Sequence, residues 1–273
     1  MGHYKDKTAI VTGAASGIGA QICRELLERG CSVVAADINQ DALDREIESL
    51  KDKGLSAKGE VVDVTDREAV KKLVDKTVSE HSRLDFMFNN AGVGVAGEVR
   101  DYSYEDWSDV IDSNVYGVIN GVHAAYPVMV REGSGHIVNT SSIAGLVPFP
   151  PETSYAAAKH AIVGLSLTLR TEAADLGVKV SVACPGLIDT PIWQTNRLVN
   201  LDREKALSAI PIRLSSPKRC AREILEGVRK NRPIIVITSS AKVLWYMNRI
   251  SPSLALWFQT RQMRRFREAR VEK

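Results

Sequence analysis

The sequence predicts an α/β protein with a doubly wound, predominantly parallel sheet and helices on both faces. Short apolar runs rich in β-branched residues alternate with longer segments in which apolar residues recur every three or four positions. That alternation is typical of parallel sheets. A length of 273 residues, with 44% hydrophobic and 25% charged residues, fits one large domain. Seven runs are predicted strands: residues 7–11, 31–36, 57–62, 84–88, 136–140, 179–183 and 234–237.

A glycine loop follows the first strand. Gly13, Gly17 and Gly19 stand in the sequence TGAASGIG, and residues 17–30 then show apolar positions at helical spacing. Glycines at such a turn let the backbone approach a pyrophosphate, and the positive end of the following helix favours the anion. Strand, glycine loop and helix therefore indicate a dinucleotide site, although the spacing differs from the generic Gly-x-Gly-x-x-Gly.

Asp37, at the end of the second strand, bears on the choice of cofactor. It stands 24 residues after Gly13, close to the offset at which this kind of fold places an acid on the ribose. A carboxylate there accepts hydrogen bonds from ribose hydroxyls and repels a 2′-phosphate, and residues 15, 16 and 38 are not basic. The sequence therefore predicts NAD(H). The alternative is that Asp37 only caps the helix predicted over 40–53.

Polar and small residues also follow the third and fourth strands. Asp63 and Val64 end the third strand, and the sequence NNAG at 89–92 ends the fourth. Small residues let the backbone pass close to a cofactor, and an asparagine can tie strands together, which is the role we expect for Asn89. Asp63 could instead cap the helix predicted over 67–81.

A serine, a tyrosine and a lysine stand where they could act on one bond. Ser142 follows the strand 136–140 and is expected near its carboxyl end, where open α/β sheets bind ligands. Tyr155 and Lys159 are spaced i and i+4, so they share one face of a helix that begins at Ser154. Tyrosine has a pKa of about 10, and a nearby ammonium favours the phenolate. Alone, such a pair is more often a solvated helix face.

Taken together, these motifs resemble the classical short-chain dehydrogenase/reductase family. The resemblance runs from about residue 5 to about residue 237, and it implies a Rossmann fold and hydride transfer between a nicotinamide and a secondary alcohol or ketone. The motifs that carry it, in the order and spacing of the family, are TGAASGIG, NNAG, Asn114, Ser142, Tyr155-x-x-x-Lys159 and CPG at 184–186.

The resemblance implies roles for four catalytic residues. Tyr155 is the acid and base, Ser142 holds the reacting oxygen, and Lys159 binds the ribose and biases Tyr155 toward phenolate. Asn114, near the middle of a helix predicted over 104–131, bends that helix and holds a water in a proton relay; a mid-helix asparagine is otherwise a weak spot. The rival interpretation is a non-catalytic NAD-binding sensor or scaffold, which would not need these residues together.

The resemblance also implies the contacts to NAD, and no metal is expected. The backbone after Pro185 and Gly186 and the hydroxyl of Thr190 should hold the nicotinamide carboxamide, although Thr190 could be only a turn residue. The predicted cofactor contacts are Gly13, Ser16, Gly17, Ile18, Gly19, Asp37, Asp63, Val64, Asn90, Ala91, Gly92, Tyr155, Lys159, Pro185, Gly186, Ile188 and Thr190.

Residues 187–216 are predicted to form a mobile lid over the substrate. Their mixed polarity and closing Ser-Ser-Pro suit such a loop, and their apolar side chains predict a lipophilic alcohol or ketone. The alternative is a polar or acyl-thioester substrate. Glu152 could hydrogen-bond a distal group or be solvated. The expected apolar wall comprises Ile192, Trp193, Leu198, Leu201, Ile210 and Ile212 in the lid, and Val93, Val95, Ile143, Val147 and Phe149 outside it.

Two further helices, over 242–250 and 254–270, are predicted after the last strand. We therefore divide the chain into a catalytic domain, 1–237, and a C-terminal helical extension, 238–273, similar in architecture to family members acting on steroids, retinoids or prostaglandins. The last thirteen residues hold six basic and two acidic side chains. They predict contact with an anionic membrane surface. The alternative is a helix packed on its own or a partner subunit with a solvated basic face.

Charge and cysteine content bear on partners and location. A net charge of +3 from 36 basic and 33 acidic residues is too balanced to favour nucleic acid. Cys23, Cys31, Cys184 and Cys220 form no CxxC pair, which favours buried free thiols in a reducing compartment. Without an apolar leader segment, we expect a cytoplasmic protein, membrane-associated if the C-terminus binds lipid.

A homodimer or homotetramer is expected, because in the family the helix predicted over 104–131 and the helix of Tyr155 pair with their symmetry mates. Burial inside one subunit would produce the same apolar pattern. The side chains expected at the contact are Val118, Val122, Ala125 and Met129 on one helix, and Ala158, Ile162, Leu165 and Leu169 on the other.

Overall fold

The computed structural model of the protein describes residues 2–208 and 214–271. The strands are β1 (Thr8–Thr12), β2 (Ser32–Asp37), β3 (Lys58–Val61), β4 (Phe86–Asn89), β5 (Val95–Ala96), β6 (Gly135–Thr140), β7 (Val178–Pro185), β8 (Arg197–Leu198) and β9 (Ile234–Ile237). The helices are α1 (Gly17–Leu27), α2 (Gln40–Lys51), α3 (Arg67–His81), α4 (Tyr104–Ile111), α5 (Gly117–Arg131), α6 (Thr153–Glu172), α7 (Ile192–Thr195), α8 (Arg203–Ser208), α9 (Pro217–Arg229), α10 (Ser239–Ile250) and α11 (Pro252–Arg267).

The main sheet has seven parallel strands in the order β3-β2-β1-β4-β6-β7-β9, so the predicted Rossmann-type fold is confirmed. The chain order reverses beside β1, which pairs with β2 on one side and with β4 on the other. In open α/β sheets such a reversal leaves a crevice at the carboxyl ends of the strands, and ligands bind there.

Helices cover both faces of the sheet, which is why β1 is buried along its whole length. On one face, Ile22 of α1 and Leu225 of α9 pack against the strands. On the other face, Val74 of α3 and Met129 of α5 do so. The sequence analysis did not include α9, although Ser216 caps it and proline stands in its first turn, a usual start signal.

The helix predicted over 104–131 is interrupted where Asn114 stands. The structure has α4, then one π-helical turn over Asp112–Tyr116, then α5. The side-chain amide of Asn114 donates to the Val110 carbonyl at 2.9 Å and to the Val93 carbonyl at 2.8 Å. A π-helical turn of this kind redirects a helix and is frequent at functional sites.

The lid region is joined to the C-terminal end of the chain. Leu201 forms an antiparallel bridge with Arg270, and the Asp202 amide donates to the Ala269 carbonyl at 2.8 Å. The short strand β8 pairs with β5 in a separate two-stranded sheet that the sequence analysis did not predict. Two predicted helices after the last strand are present as α10 and α11. In the described part of the chain, no helix combines the length and apolar character needed to span a membrane.

The predicted oligomer face on α5 and α6 is wrong for most of its residues. These side chains point into the subunit, because the helices turn their apolar stripes toward the sheet and toward each other. Val122, Leu165 and Leu169 are only partly buried, but they also pack against the core. The residues that are no more than 2% exposed are Val118, Ala125, Met129, Ala158 and Ile162.

Candidate active site

A cleft of about 1050 Å³ occupies the crevice at the carboxyl ends of the central strands. Nearly all the predicted site residues line it, although they come from positions up to 177 residues apart in the chain. Gly19, in the first turn of α1, lies behind the surface. The predicted residues that line the cleft are Gly13, Ser16, Gly17, Ile18, Asp37, Asp63, Val64, Asn90, Ala91, Gly92, Asn114, Ser142, Tyr155, Lys159, Pro185, Gly186, Ile188 and Thr190.

At Gly13 and Gly19 the glycine loop has no room for a side chain. Gly13 has a φ of +63°, and a Cβ there would lie 2.8 Å from the Ala91 Cα atom. A Cβ at Gly19 would collide with the Gly13 carbonyl oxygen. Ser16 is the N-cap of α1, but its side chain accepts no hydrogen bond from the helix. The backbone amides at this helix start can therefore serve an anion, and the loop fits a pyrophosphate.

Asp37 holds the glycine loop against the end of β2. One carboxylate oxygen accepts a hydrogen bond from the Ala15 amide, and the other accepts one from the Asn39 amide, each at 3.0 Å. The cap of α2 is Asn39, whose side chain accepts from the Ala42 amide. The capping alternative for Asp37 is therefore wrong, and its carboxylate borders the cleft.

Asp63 and Val64 end β3 at the far side of the cleft. The Asp63 carboxylate accepts hydrogen bonds from the amide and the hydroxyl of Thr65, both at 2.8 Å. Asp66, and not Asp63, caps α3. The Val64 carbonyl accepts a hydrogen bond from the Asn120 side chain at 2.9 Å, which fixes this edge to α5.

Thr12, which sequence reasoning missed, organises the ends of β1 and β4. Its hydroxyl accepts hydrogen bonds from the Asn90 and Ala91 amides at 3.0 and 3.1 Å, and its carbonyl accepts one from the Asn90 side chain. Asn89 donates to the Asn139 side chain at 2.8 Å and so ties β4 to β6, the supporting role that was predicted. These bonds hold the backbone of residues 90–92 at the cleft wall.

Lys159, Tyr155 and Ser142 meet in the cleft. The Lys159 side chain is 3% exposed, and its Nζ atom donates to the Thr140 carbonyl at 3.0 Å and lies 5.2 Å from the centre of the Tyr155 ring. The Ser142 Oγ atom accepts from the Ala144 amide at 3.2 Å. Helix α6 presents Tyr155 and Lys159 on one face because they are four residues apart.

The pKa shifts of Tyr155 and Lys159 do not follow the expectation that Lys159 lowers the pKa of Tyr155. Burial raises the pKa of Tyr155 well above its usual value, the negative charge of Glu152 adds to the rise, and hydrogen bonding to Ser142 opposes it. Burial also lowers the pKa of Lys159 to about 7. Removing each group from water favours its neutral form, and burial is the largest cause of both shifts.

Asn114 lines the cleft beside Gly92. A Cβ at Gly92 would collide with the Asn114 Oδ1 atom and would lie 3.4 Å from the Lys159 Nζ atom. Asn114 Oδ1 is buried and has no hydrogen-bond partner among the described residues. The site therefore holds an unused acceptor close to the lysine, consistent with a position in a proton relay.

The loop after β7 closes the cleft. The Gly186 amide donates to the Ile237 carbonyl at 3.1 Å, and the Ile188 carbonyl accepts a hydrogen bond from the Trp193 indole at 2.6 Å. The Thr190 side chain lies against Gly17, where an added Cβ would approach it to 3.2 Å. The Thr190 carbonyl also accepts from the Trp193 amide, so the turn role and the cleft role coexist at this residue.

An apolar chamber of about 420 Å³ adjoins the cleft. The lid and both C-terminal helices wall it, a role that sequence reasoning left open. Val147 is buried in the core, so its predicted place in the pocket wall is wrong, and Ile210 and Ile212 lie outside the described residues. The apolar residues that line the chamber are Ala96, Ile143, Phe149, Pro150, Pro151, Leu187, Trp193, Leu198, Leu201, Ala206, Leu207, Ala241, Val243, Leu244, Met247, Phe258 and Phe266.

Comparisons with known proteins agree on family and fold. A sequence model described as short chain dehydrogenase matches residues 7–201. The chain is 37% identical over 226 residues to the 3-oxoacyl-[acyl-carrier-protein] reductase FabG of Thermotoga maritima, which covers 82% of this chain and 90% of that protein. It is 35% identical over 193 residues to an uncharacterized oxidoreductase of Staphylococcus saprophyticus, with 70% and 82% covered. A crystal structure of a short-chain dehydrogenase/reductase from Burkholderia phymatum in complex with NAD superimposes with a TM-score of 0.85 at 28% identity, covering 93% of this chain and 96% of that one.

Proposed function

The chain belongs to the short-chain dehydrogenase family, and from that premise we propose that it transfers a hydride between NAD and a lipophilic secondary alcohol/ketone pair. One observation carries the proposal. Tyr155 and Ser142 lie in the cleft where it adjoins an apolar chamber, so a reacting carbon beside them has a cofactor site on one side and apolar walls on the other.

Tyr155 acts as the acid in reduction and as the base in oxidation, and Ser142 holds the same substrate oxygen by its hydroxyl. A bound nicotinamide would accept or supply the hydride. Because burial raises the pKa of Tyr155, the phenol is protonated at neutral pH and ready to donate to a carbonyl oxygen. General acid–base catalysis of this kind contributes roughly 10² to 10⁴ in rate.

Lys159 and Asn114 take part in carrying protons between Tyr155 and solvent. The pKa of Lys159, lowered to about 7 by burial, lets the amine change its protonation state near neutral pH. The Thr140 carbonyl accepts a hydrogen bond from the Lys159 Nζ atom at 3.0 Å, and the Asn114 Oδ1 atom, which has no partner among the described residues, lies beside Gly92 as Nζ does. This arrangement supports a relay from the tyrosine to solvent.

The preference for NAD over NADP rests on Asp37. Its carboxylate borders the cleft after β2 and is held by the Ala15 and Asn39 amides. A 2′-phosphate on the adenosine ribose would face this charge, and the loop residues Ala15 and Ser16 offer no cation to compensate.

A second candidate is reduction of an acyl thioester, which the relative named as a 3-oxoacyl-[acyl-carrier-protein] reductase favours. The chamber favours the first candidate, because α10 and α11 wall it with Leu244, Met247, Phe258 and Phe266. We also propose that 1–237 is the catalytic unit and that 238–273 is an extension that closes this chamber.

We propose two further contacts for the outer surface. The outward face of α6 carries the exposed small residues Ala157, Ala161 and Gly164, which suits close pairing with a second copy in a dimer or tetramer. The C-terminal helices, with exposed apolar residues and only basic charges, suit an anionic membrane surface. Four free, buried cysteines favour a reducing, cytoplasmic setting.

The experiment that tests the activity is a series of secondary alcohols of rising apolar size, assayed with NAD⁺ at the nicotinamide absorbance. We expect kcat/KM to rise by up to about fourfold for each added methylene until the chamber is full, since a buried methylene contributes ~0.8 kcal/mol. Activity that falls with apolar size and rises with 3-oxoacyl thioesters would move the assignment to the second candidate.

Tyr155→Phe is the control for the catalytic assignment. It removes only the hydroxyl, so turnover should fall by roughly 10² to 10⁴ while NADH binding, followed by fluorescence, is retained. Turnover within a few-fold of the parent protein would show that Tyr155 is not the acid. NADH binding with no turnover of any alcohol or ketone by the parent would favour the sensor interpretation.

A further inference from the structure

Glu152 stands at the junction between the cofactor cleft and the apolar chamber. It lines both cavities, yet only 9% of it is exposed. The three residues that precede it in the chain, Phe149, Pro150 and Pro151, also line the chamber and are apolar. A carboxyl group is thus placed at the boundary where the reacting end of a substrate meets its apolar body.

The carboxyl group of Glu152 forms no hydrogen bond or ion pair with the described residues. Glu152 occupies the N-cap position of α6, but its side chain makes no capping hydrogen bond. Burial alone raises its pKa to about 7, with no hydrogen bond or cation among the described residues acting against the rise. Arg203, a cation in the chamber wall, is engaged with the Trp193 and Asn196 carbonyls.

A buried carboxyl group without a partner is unfavourable, and most buried polar groups in proteins find one. Binding pockets are the usual exception, because a few polar groups on apolar walls meet their partners on the ligand and fix its orientation. The missing partner of Glu152 is a hydrogen-bond donor, since an ionised carboxylate only accepts and a protonated one still has a free acceptor oxygen.

We propose that Glu152 anchors a hydrogen-bond donor on the substrate, a hydroxyl or a protonated amine borne within a few bonds of the reacting carbon. Glu152 and Tyr155 are three residues apart at the start of α6, so they lie within one helical turn of each other and both border the cleft. The substrate class is therefore a lipophilic ketone or alcohol with a second, donating polar group close to the reacting one. This inference rests on the proposed function and deepens it.

The same geometry selects against other substrates. A substrate carboxylate or phosphate next to the reacting carbon would face Glu152 and be repelled. A purely apolar ketone would leave the carboxyl group of Glu152 without a hydrogen-bond partner. A site that hydrogen-bonds a substrate group discriminates strongly against analogues that lack it, because its own polar atoms then remain unpaired.

The test compares cyclohexanone with its 2-, 3- and 4-hydroxy derivatives and with 4-aminocyclohexanone, each reduced with NADH. We expect kcat/KM for at least one donor-bearing ketone to exceed that for cyclohexanone by roughly ten- to a hundredfold. The hydroxyl and amine arms show which donor the site prefers. Equal values across the panel would overturn the inference and leave the proposed function intact, whereas no turnover of any ketone would overturn the proposed function itself.

Two variants assign the preference to this side chain. Glu152→Leu should reduce the donor preference to within about threefold, because no acceptor remains. Glu152→Gln should keep a preference for hydroxyls and lose any preference for the amine, since the amide accepts hydrogen bonds without charge. Glu172→Gln, at the exposed end of the same helix, is the control and should leave every ratio unchanged.

A donor preference that persists in Glu152→Leu would overturn the assignment. NADH binding and the circular dichroism spectrum check that each variant is folded. If Glu152→Leu does not fold, the ratio of kcat/KM for the hydroxyl ketones to kcat/KM for the amine in Glu152→Gln decides alone. For a parent protein that prefers the amine, an unchanged ratio would contradict the inference. For a parent protein that prefers the hydroxyl, loss of the hydroxyl preference would contradict it.

Discussion

Asp37 accepts a hydrogen bond from the Ala15 amide of the glycine loop and borders the cleft, and its replacement tests the proposed contact with the cofactor ribose. We expect the parent protein to favour NAD(H) over NADP(H) by tenfold or more in kcat/KM, a difference of about 1.4 kcal/mol. Asp37→Ala should narrow that ratio and also weaken NAD(H), because the loop loses its anchor.

The control for this prediction is Asp41→Ala, an exposed acid in the first turn of α2. It removes the same charge from the same region without touching the glycine loop, so the cofactor ratio should stay as in the parent. Equal use of both cofactors by the parent protein would refute the assignment of Asp37 as the selecting residue.

Glu152 should make the stability of the fold depend on pH. Its pKa is raised from 4.5 in the unfolded chain to about 7 in the fold, so the folded state binds the extra proton between those values. Its contribution is therefore most favourable below pH 4.5 and is lost as the pH rises to 7. Urea unfolding at pH 5 to 8 should show that Glu152→Gln gains stability relative to the parent, by a few kcal/mol at most.

The titratable groups whose pKa values respond to the charge of Glu152 are Tyr155 and Tyr102. Both remain in the variant, so the difference between the two proteins isolates Glu152. Glu172→Gln, which removes an exposed carboxylate, should show no such trend. A difference between parent and Glu152→Gln that is flat from pH 5 to 8 would contradict the raised pKa.

At the scale of elements, the C-terminal segment forms ion pairs with the loop before α4. Arg270 pairs with Asp101 at 2.7 Å and with Glu98 at 3.4 Å, and Arg267 pairs with Glu98 at 3.3 Å. These pairs hold the end of the chain beside the lid and the loop before α4. Two of the six basic residues on which the predicted membrane contact rested thus have partners within the subunit. For the segment around Arg267 and Arg270, this supports the alternative that the C-terminus packs on its own subunit.

The outer surface of α10 and α11 remains suited to lipid. Residues 233–267 contain no acidic side chain, and large apolar residues lie exposed on these helices. The exposed fractions are 56% for Tyr246, 84% for Ile250, 49% for Leu254 and 60% for Trp257. The same helices wall the chamber.

We expect the parent protein to sediment with vesicles of phosphatidylcholine and phosphatidylserine at low salt, and Ile250→Ser/Trp257→Ser to lower that binding by tenfold or more. Each basic residue at the surface adds about 1 kcal/mol, so added salt or omission of phosphatidylserine should also weaken binding. Tyr104→Ser, which replaces an 82% exposed tyrosine on α4, is the control. If the parent protein does not bind vesicles but self-associates, and the double variant abolishes that self-association, this face binds a second copy of the chain instead of lipid.

At the scale of the whole molecule, the proposed assembly pairs two subunits through the outward face of α6. A Cβ at Gly164 would meet nothing within 4 Å, so a larger side chain there fits the isolated subunit. Gly164→Arg should convert the dimer or tetramer to a monomer in size-exclusion chromatography with light scattering. It should not destabilise the monomer, because glycine is a poor helix former by about 1 kcal/mol.

Thr171→Arg, at the exposed carboxyl end of the same helix, adds the same charge away from the small-residue face and should leave the assembly unchanged. A monomeric parent protein, or an unchanged mass for Gly164→Arg, would contradict pairing through α6.

The sequence by itself determined the sheet and the cleft residues. All seven main strands were predicted, and six of them are short runs with mostly buried residues, a pattern that can be read locally. The exception is β3, at the edge of the sheet, whose sequence KGEV contains no buried residue. The glycine loop was readable because only glycine fits beside the Ala91 backbone. The residues that follow strands, such as Ser142, gather in one cleft because parallel strands end at one edge of the sheet.

Only the tertiary structure decided the features that depend on distant contacts. An apolar stripe on a helix looks the same whether it faces the core or a partner, so the sequence left both surfaces open for α5 and α6, and the structure buries most of these side chains inside the subunit. The pairing of β8 with β5 and of Arg270 with Asp101 joins segments that no local pattern relates. The pKa of Lys159 depends on how completely folding removes it from water, which the spacing of Tyr155 and Lys159 does not encode.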